Sequence, residues 1–281
     1  MNALVLATAL LSLSQSAAPR ATVDWLVHGP QEGDALSLRL EAISAAFLDT
    51  PYIHSPLGEG EGVDPDPPIR FDAVDCLTFV EQTLALGLAP TPVEVPRLLE
   101  ALRYGARPVY EDRNHLMEAQ WLPNNVRKGF LRDVTRAYGD RDTVRVRKVL
   151  SEESWQSGSS RALMLPREAQ PRGEFAFDLI PLDKVRRIAG RIPTGTILVV
   201  VRADRPNKVT RITHLGFVIQ KGRRTRLRHA ARGHYARVVD EDLATFLTRN
   251  SKYSKWPVEG VALFQPLLPE LSAPVADVGE P

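Results

Sequence analysis

Apolar positions along the chain change their spacing near Gly173, and the change divides the molecule. Before it the period is helical. From Asp34 to Leu48 the side chains Leu36, Leu40, Ile43 and Phe47 recur every three to four positions, so one amphipathic helix covers the stretch. A Gly/Pro-rich loop over 49–70 leads into a second amphipathic helix carried by "FDAVDCLTFVEQTLAL", 71–86. Further helical patterns run over 94–104 and over 115–138, the latter interrupted by Pro123. Residues 143–150, "TVRVRKVL", alternate as a strand does, and "SGSSR" at 157–161 reads as a loop. After Gly173 come the short β-rich runs "FAFDLIP", "GTILVVVRA", "RITHLGFVIQ", "RTRLRHAA" and "YARVVD", separated by turn residues. A last helix is expected over 240–250, with Asp240 or Asp242 near its N-cap. Helices followed by a meandering sheet of about five or six mostly antiparallel strands predict an α+β protein.

The first residues differ in kind. An apolar stretch from Ala3 to Leu13, then small polar residues and Ala17-Ala18, has the order of a signal peptide at 1–18 and is too short to span a bilayer. The alternative is an apolar first helix of the fold. The expected division is a helical segment at 19–48, a main domain at 49–266 with a helical insertion at about 94–172, and a disordered Pro/Ala-rich tail at 267–281. Export, to the periplasm or the medium, then leaves no stable membrane insertion once the leader is removed. A composition of 43% hydrophobic and 25% charged residues is that of a soluble globular protein. With 36 Lys+Arg against 34 Asp+Glu, and basic runs that are short and free of interleaved aromatics, nucleic acid is excluded as a partner.

Export makes the cysteine count informative. The single cysteine, Cys76, has no intrachain disulfide partner, and an unpaired thiol in an oxidising compartment is either buried or used. A buried small hydrophobe is the plain reading. Against it, Cys76 opens a helix whose dipole favours thiolate, although the charge of Asp75 works the other way while suiting Asp75, like Asp72, to the N-cap. The histidines add to this. If Lys221-Gly222 form a two-residue turn, Gln220 pairs with Arg223, and His214 faces His229 directly across the hairpin, with Cβ atoms roughly 4.5–5.5 Å apart. A thiol, an imidazole to take its proton and a second polar group to orient that imidazole form a set for amide hydrolysis: Cys76 as nucleophile, His214 as base and then acid, His229 as orienting group. In "YEDRNHLMEAQW", 110–121, Arg113 suits a carboxylate, His115 or Asn114 an amide and Trp121 a sugar ring; the stretch also reads as a helix start capped by Asn114 above a core tryptophan. No HxH, HExxH or CxxC spacing points to a metal, and phosphate-loop and serine-elbow motifs are absent.

Taken in order, "PYIHSPLG", "FDAVDCLTFVE", "THLGFVI" and "RHA" resemble the NlpC-type papain-like cysteine hydrolases. More narrowly, "DCLTFVE", "EDRNHLMEAQWLPNN" and "RHAARG…VVDEDLATFL" are similar to the branch of N-acetylmuramoyl-L-alanine amidases, over about 45–266. The resemblance implies a papain-like α+β core, its nucleophile helix packed on the sheet, with an added helical lobe. It implies a bacterial cell-wall enzyme that cuts the amide between N-acetylmuramic acid, including its 1,6-anhydro form, and L-alanine through a cysteine acyl-enzyme. No cofactor is needed, and the partner is a muropeptide or peptidoglycan. Tyr52 would help the backbone N–H of Cys76 hold the oxyanion, with His115 and Arg113 toward the substrate. Where the family's loop after Pro-Tyr is richer in glycine, this chain has His54, Ser55 and Pro56. A stem-peptide endopeptidase, a non-catalytic wall-binding module and acyl transfer from a lipid remain as alternatives, and nothing in the residues fixes an oligomeric state.

Overall fold

A computed structural model describes residues 35–233 and 235–268. The signal peptide expected at 1–18 and nearly all of the tail expected at 267–281 lie outside the described residues. The first expected helix forms as α1, Leu36–Ala46. The second, α2, is Cys76–Leu88, and it starts there because Asp75 closes a capping box: its carboxylate accepts from the N–H of Leu77 and Thr78, and its own N–H donates to Thr78 Oγ1. Every residue from Thr78 to Leu88 is buried, so α2 is a central helix sheathed on all sides rather than an amphipathic one. Helix α3, Val95–Arg103, matches its sequence pattern.

The stretch 115–138 departs from the expectation of one interrupted helix. It forms a π-turn at Met117–Trp121, α4 at Leu122–Arg127, β1 at Leu131–Asp133 and α5 at Thr135–Gly139. Pro123 does not interrupt; it sits in the first turn of α4, where a missing N–H costs nothing. The break falls at Gly129, whose φ of +77° other residues rarely adopt. Trp121 is fully buried and donates to Glu81 of α2 at 2.8 Å, docking this lobe on that helix.

Strand β2, Val144–Leu150, follows as expected, but 157–161 is no loop: Ser157 caps the short α6, Gly158–Arg161. Then come β3, Gly173–Pro181; α7, Leu182–Ile188; β4, Ile197–Arg202; β5, Ile212–Lys221; β6, Arg224–Ala231; β7, Arg237–Asp242; α8, Leu243–Ser251; and β8, Val258–Pro266. Of the two candidates Asp242 caps α8, accepting from the Thr245 N–H at 3.0 Å. Asp240 instead holds Arg228, whose fully buried guanidinium also reaches Glu41 O and Ser44 Oγ of α1. A buried charge with its donors so satisfied ties α1 to the sheet.

The sheet has eight strands in the order β2-β3-β8-β4-β5-β6-β7, with β1 paired to β8 and every pairing antiparallel. Both faces are covered. On one, Val199, Leu215, Phe217, Ala262 and Phe264 pack against α1, α2 and α3; on the other, Leu198, Val200, Val218 and Leu263 pack against α7 and α8. The result is a mixed helix and antiparallel-sheet fold with the sheet between helical layers. Among the described residues no helix is long and apolar enough to cross a membrane.

Candidate active site

The β5–β6 hairpin turns at Gly222-Arg223, with Gly222 at φ +59°, and pairs Lys221 with Arg224, Gln220 with Thr225 and Phe217 with Arg228. The register therefore differs by two residues from the sequence expectation. Because side chains alternate with period two, a shift of two keeps both histidines on one face. Extending the ladder sets His229 opposite Gly216 and makes His214 its diagonal neighbour, not its direct partner. The rings still meet, His214 Nε2 lying 2.7 Å from His229 Nδ1 with the planes at 81°. Gly216 makes the room: a Cβ there would lie 2.7 Å from the Cβ of His229 and 2.6 Å from Arg228 O.

Behind the pair runs a polar chain that sequence reasoning missed. His229 Nε2 lies 3.2 Å from Glu241 Oε2, and Arg249 of α8 donates to the same oxygen at 2.6 Å. His229 and Glu241 are both buried. Phe246 of α8 lies near-parallel to the His214 ring, with centroids 6.1 Å apart, and meets His229 edge-on at 5.5 Å. Burial holds the His214 imidazole well below its ordinary range, with His229, Arg249 and Arg202 adding in the same direction. The signal for Glu241 lay in alternation: β6 pairs with β7 as His229↔Val239 and Leu227↔Glu241, which puts Glu241 diagonal to His229 on one face.

Cys76 is the first residue of α2, and its sulfur meets the backbone N–H of Leu215, the residue after His214. Strand geometry explains the meeting. Val218 directs its N–H to Thr196 and its carbonyl to Gly195, both on the β4 side, so alternation turns the N–H of Leu215 toward β6. The regular β5–β6 ladder ends at Phe217↔Arg228, short of that N–H. Cys76 keeps some surface open to solvent. The protein nonetheless crowds its sulfur, and burial first, then the charge of Asp75, pushes the thiol up to about 12. The expectation that the helix start favours thiolate is thereby corrected: desolvation outweighs the N–H groups at the sulfur.

Tyr52 reaches the same spot. Its N–H donates to Ala236 O at 2.8 Å and it bridges in parallel to Val74, two residues before Cys76. Burial, then Cys76 and Asp75, raises its phenol, while Arg232 opposes them, so the phenol lies within electrostatic range of the sulfur. The loop after Tyr52 is fastened by the Ser55 N–H donating to Asp75 Oδ2 at 3.1 Å.

The structure thus joins His214 to His229 and sets Cys76 at the N–H of Leu215, the residue after His214, with Tyr52 in electrostatic range of the sulfur. Arg113 and His115 are held elsewhere. Arg113 forks onto Glu59, with Nε at 2.9 Å and Nη2 at 2.5 Å, and gives Nη1 to Asp64 at 2.9 Å, so these donors serve the chain's own loop rather than a free carboxylate. His115 Nε2 sits 2.7 Å from Tyr110 O with its ring on Tyr110. Trp121, with no exposed surface, is a core residue and offers no face to a sugar. A cavity of about 240 Å³ lined by Glu59, Ile69, Leu99, Arg103 and Tyr104 shares no residue with the cluster around Cys76. Among the described residues no group of three or more His, Cys, Asp or Glu is gathered as a metal would need.

The model of the AmiA-like family, described as N-acetylmuramoyl-L-alanine amidase-like, matches residues 42–253, about three quarters of the chain. The chain belongs to the AmiA-like family. Solved structures repeat the AmiA-like fold. A Legionella pneumophila protein of the DUF1460 family model superposes with a TM-score of 0.77 at 21% identity, covering 92% of this chain and 96% of that one. An N-acetylmuramoyl-L-alanine amidase from Bacteroides uniformis does so with a TM-score of 0.65 at 24% identity, covering 82% of this chain and 98% of that one. At such identities the likeness is one of fold. No curated protein matches the chain.

Proposed function

We propose that this AmiA-like protein hydrolyses the amide between N-acetylmuramic acid and L-alanine in muropeptides, by a papain-like cysteine mechanism of the NlpC type. The reading is carried by the hydrogen-bonded His214–His229 pair together with a helix-start cysteine whose sulfur meets the N–H of Leu215, the residue after His214. In this reading 49–266 is the catalytic domain with its helical insertion, and the protein works outside the cytoplasm after losing 1–18.

Cys76 attacks the lactyl carbonyl of the sugar while His214 takes the thiol proton. The backbone N–H of Cys76 and the Tyr52 hydroxyl donate to the oxyanion. His214 then protonates the leaving L-alanine nitrogen as the C–N bond breaks. A thioester remains, and water, deprotonated by His214, releases the sugar acid and the free thiol. With the thiol pushed up to about 12 and His214 held neutral, the resting site is a thiol beside an uncharged imidazole, so the proton moves during attack rather than before it.

A chemical consequence checks this. Alkylation of the free enzyme by iodoacetamide should be slow at pH 7 and rise about tenfold per pH unit between pH 7 and pH 9, because the thiolate fraction grows that fast below the pKa. A rate already maximal at pH 6 would show a preformed ion pair and sink this order of events.

The reaction itself is read by mass spectrometry of disaccharide-peptide and anhydro-disaccharide-peptide digests. Intact stem peptide with the sugar acid is expected. Shortened stems would move the cut into the peptide, to an endopeptidase, and no cleavage would leave a wall-binding module.

A further inference from the structure

We infer that Glu241, held by Arg249, is a positioning residue that fixes which nitrogen of each imidazole carries a proton, and thereby makes His214 Nδ1 the base. The inference rests on the cysteine mechanism proposed above.

Donors and acceptors succeed one another along one line of contacts. Arginine only donates. Glu241 Oε2 therefore accepts from Arg249 at 2.6 Å, and an oxygen already accepting there meets His229 Nε2 at 3.2 Å with its remaining lone pair. That nitrogen must carry a proton. With that single proton on Nε2, His229 Nδ1 is bare, and His214 Nε2, 2.7 Å away, is the donor. Burial keeps His214 uncharged, which leaves its Nδ1 bare as well. The line reads Arg249 to Glu241, His229 to Glu241, and His214 to His229, so every proton on it points toward Glu241 and His214 Nδ1 is left bare.

Without the acceptor at 241 the line reverses at no cost in contacts. His229 could donate from Nδ1 to His214 Nε2, and neutral His214 would then carry its proton on Nδ1, where it has no capacity to take another from sulfur. The histidine pair alone is thus ambiguous, and the carboxylate removes the ambiguity. It also places a negative group behind His229, so the charge His214 gains from the thiol is met through His229. The neighbours support the arrangement mechanically: Glu241 and His229 are buried on adjacent strands, Arg249 comes from the next helix, and Phe246 covers both rings. The placement of Glu241 on β7 and Arg249 two turns into α8 means that one short segment, 241–249, supplies the whole buttress.

The test uses the full-length protein with ¹⁵N-histidine and long-range ¹H–¹⁵N spectra, alongside steady-state kinetics. In wild type both His214 and His229 are expected as Nε2–H tautomers. Glu241→Ala should convert His214 wholly or partly to the Nδ1–H tautomer and lower kcat about 100-fold with KM changed less than threefold. Glu241→Gln, whose amide oxygen still accepts, should restore much of both. Arg249→Met, which keeps the carboxylate, should loosen the tautomer signal and cost less activity, and it serves if Glu241→Ala does not fold. A folded Glu241→Ala protein with His214 still Nε2–H and kcat within twofold of wild type overturns the inference. If Cys76→Ala retains full activity, it is the cysteine mechanism that fails, and the tautomer spectra still report separately on Glu241.

Discussion

Cys76→Ala is expected to abolish the proposed amide cleavage, with kcat falling by at least about 10³-fold while the protein stays folded. The fold is spared because the helix start does not depend on the sulfur: Asp75, Leu77 and Thr78 make the cap from carboxylate, backbone and hydroxyl. Losing one small half-buried side chain costs about 1 kcal/mol, a fall of a few degrees in Tm. Cys76→Ser should be nearly as inactive, because a neutral imidazole that suffices to draw a proton from a thiol is a poor match for a hydroxyl. Product masses and a thermal melt on the same samples separate the two effects. Cleavage retained by the alanine variant would remove the cysteine from the reaction.

Gly216→Val is expected to lose activity by about 100-fold or more and to melt several degrees lower. Its Cβ would meet Arg228 O at 2.6 Å and the Cβ of His229 at 2.7 Å, both rigid parts of the neighbouring strand. Neither swings aside as a flexible tip would, so β5 and β6 must part. Overpacking of this kind costs about 1–3 kcal/mol. The same displacement carries His229 away from His214, which is why the loss should appear in kcat more than in KM. Gly158→Ala is the control: nothing lies within 4 Å of its Cβ position, and it should be silent in both measurements. A Gly216→Val protein with wild-type turnover would show that the 2.7 Å contact between the imidazoles is dispensable.

These two residues mark what the sequence made legible. A hairpin with two histidines at even separation from its turn was enough to bring His214 and His229 into contact, since parity decides the face even when the register is misjudged by two. Burial was not legible. The thiol was expected to lean toward thiolate, and it was corrected by crowding from residues distant in the chain. Arg113 looked available because its partners Glu59 and Asp64 lie about fifty residues upstream, in a loop whose course no local pattern gives. Glu241 and Arg249 escaped because the acidic run at 240–242 reads as helix capping, and only Asp242 serves that purpose. Strand β8 was overlooked for a different reason. Covered on both faces, "VEGVALFQP" lacks the alternation that marks a half-exposed strand.

The position of that strand bears on how the chain is made. Residues 258–266 run between β3 and β4, so the middle of the sheet is supplied by the last of the described strands to leave the ribosome. Until they emerge, β3 and β4 each present an unzipped edge and half-built cores on both faces. The β4 to β7 meander, with both histidines and Glu241, forms from near neighbours, yet it cannot join β3 ahead of that final segment. The sheet therefore closes only once residues 258–266 have been made and slotted between β3 and β4.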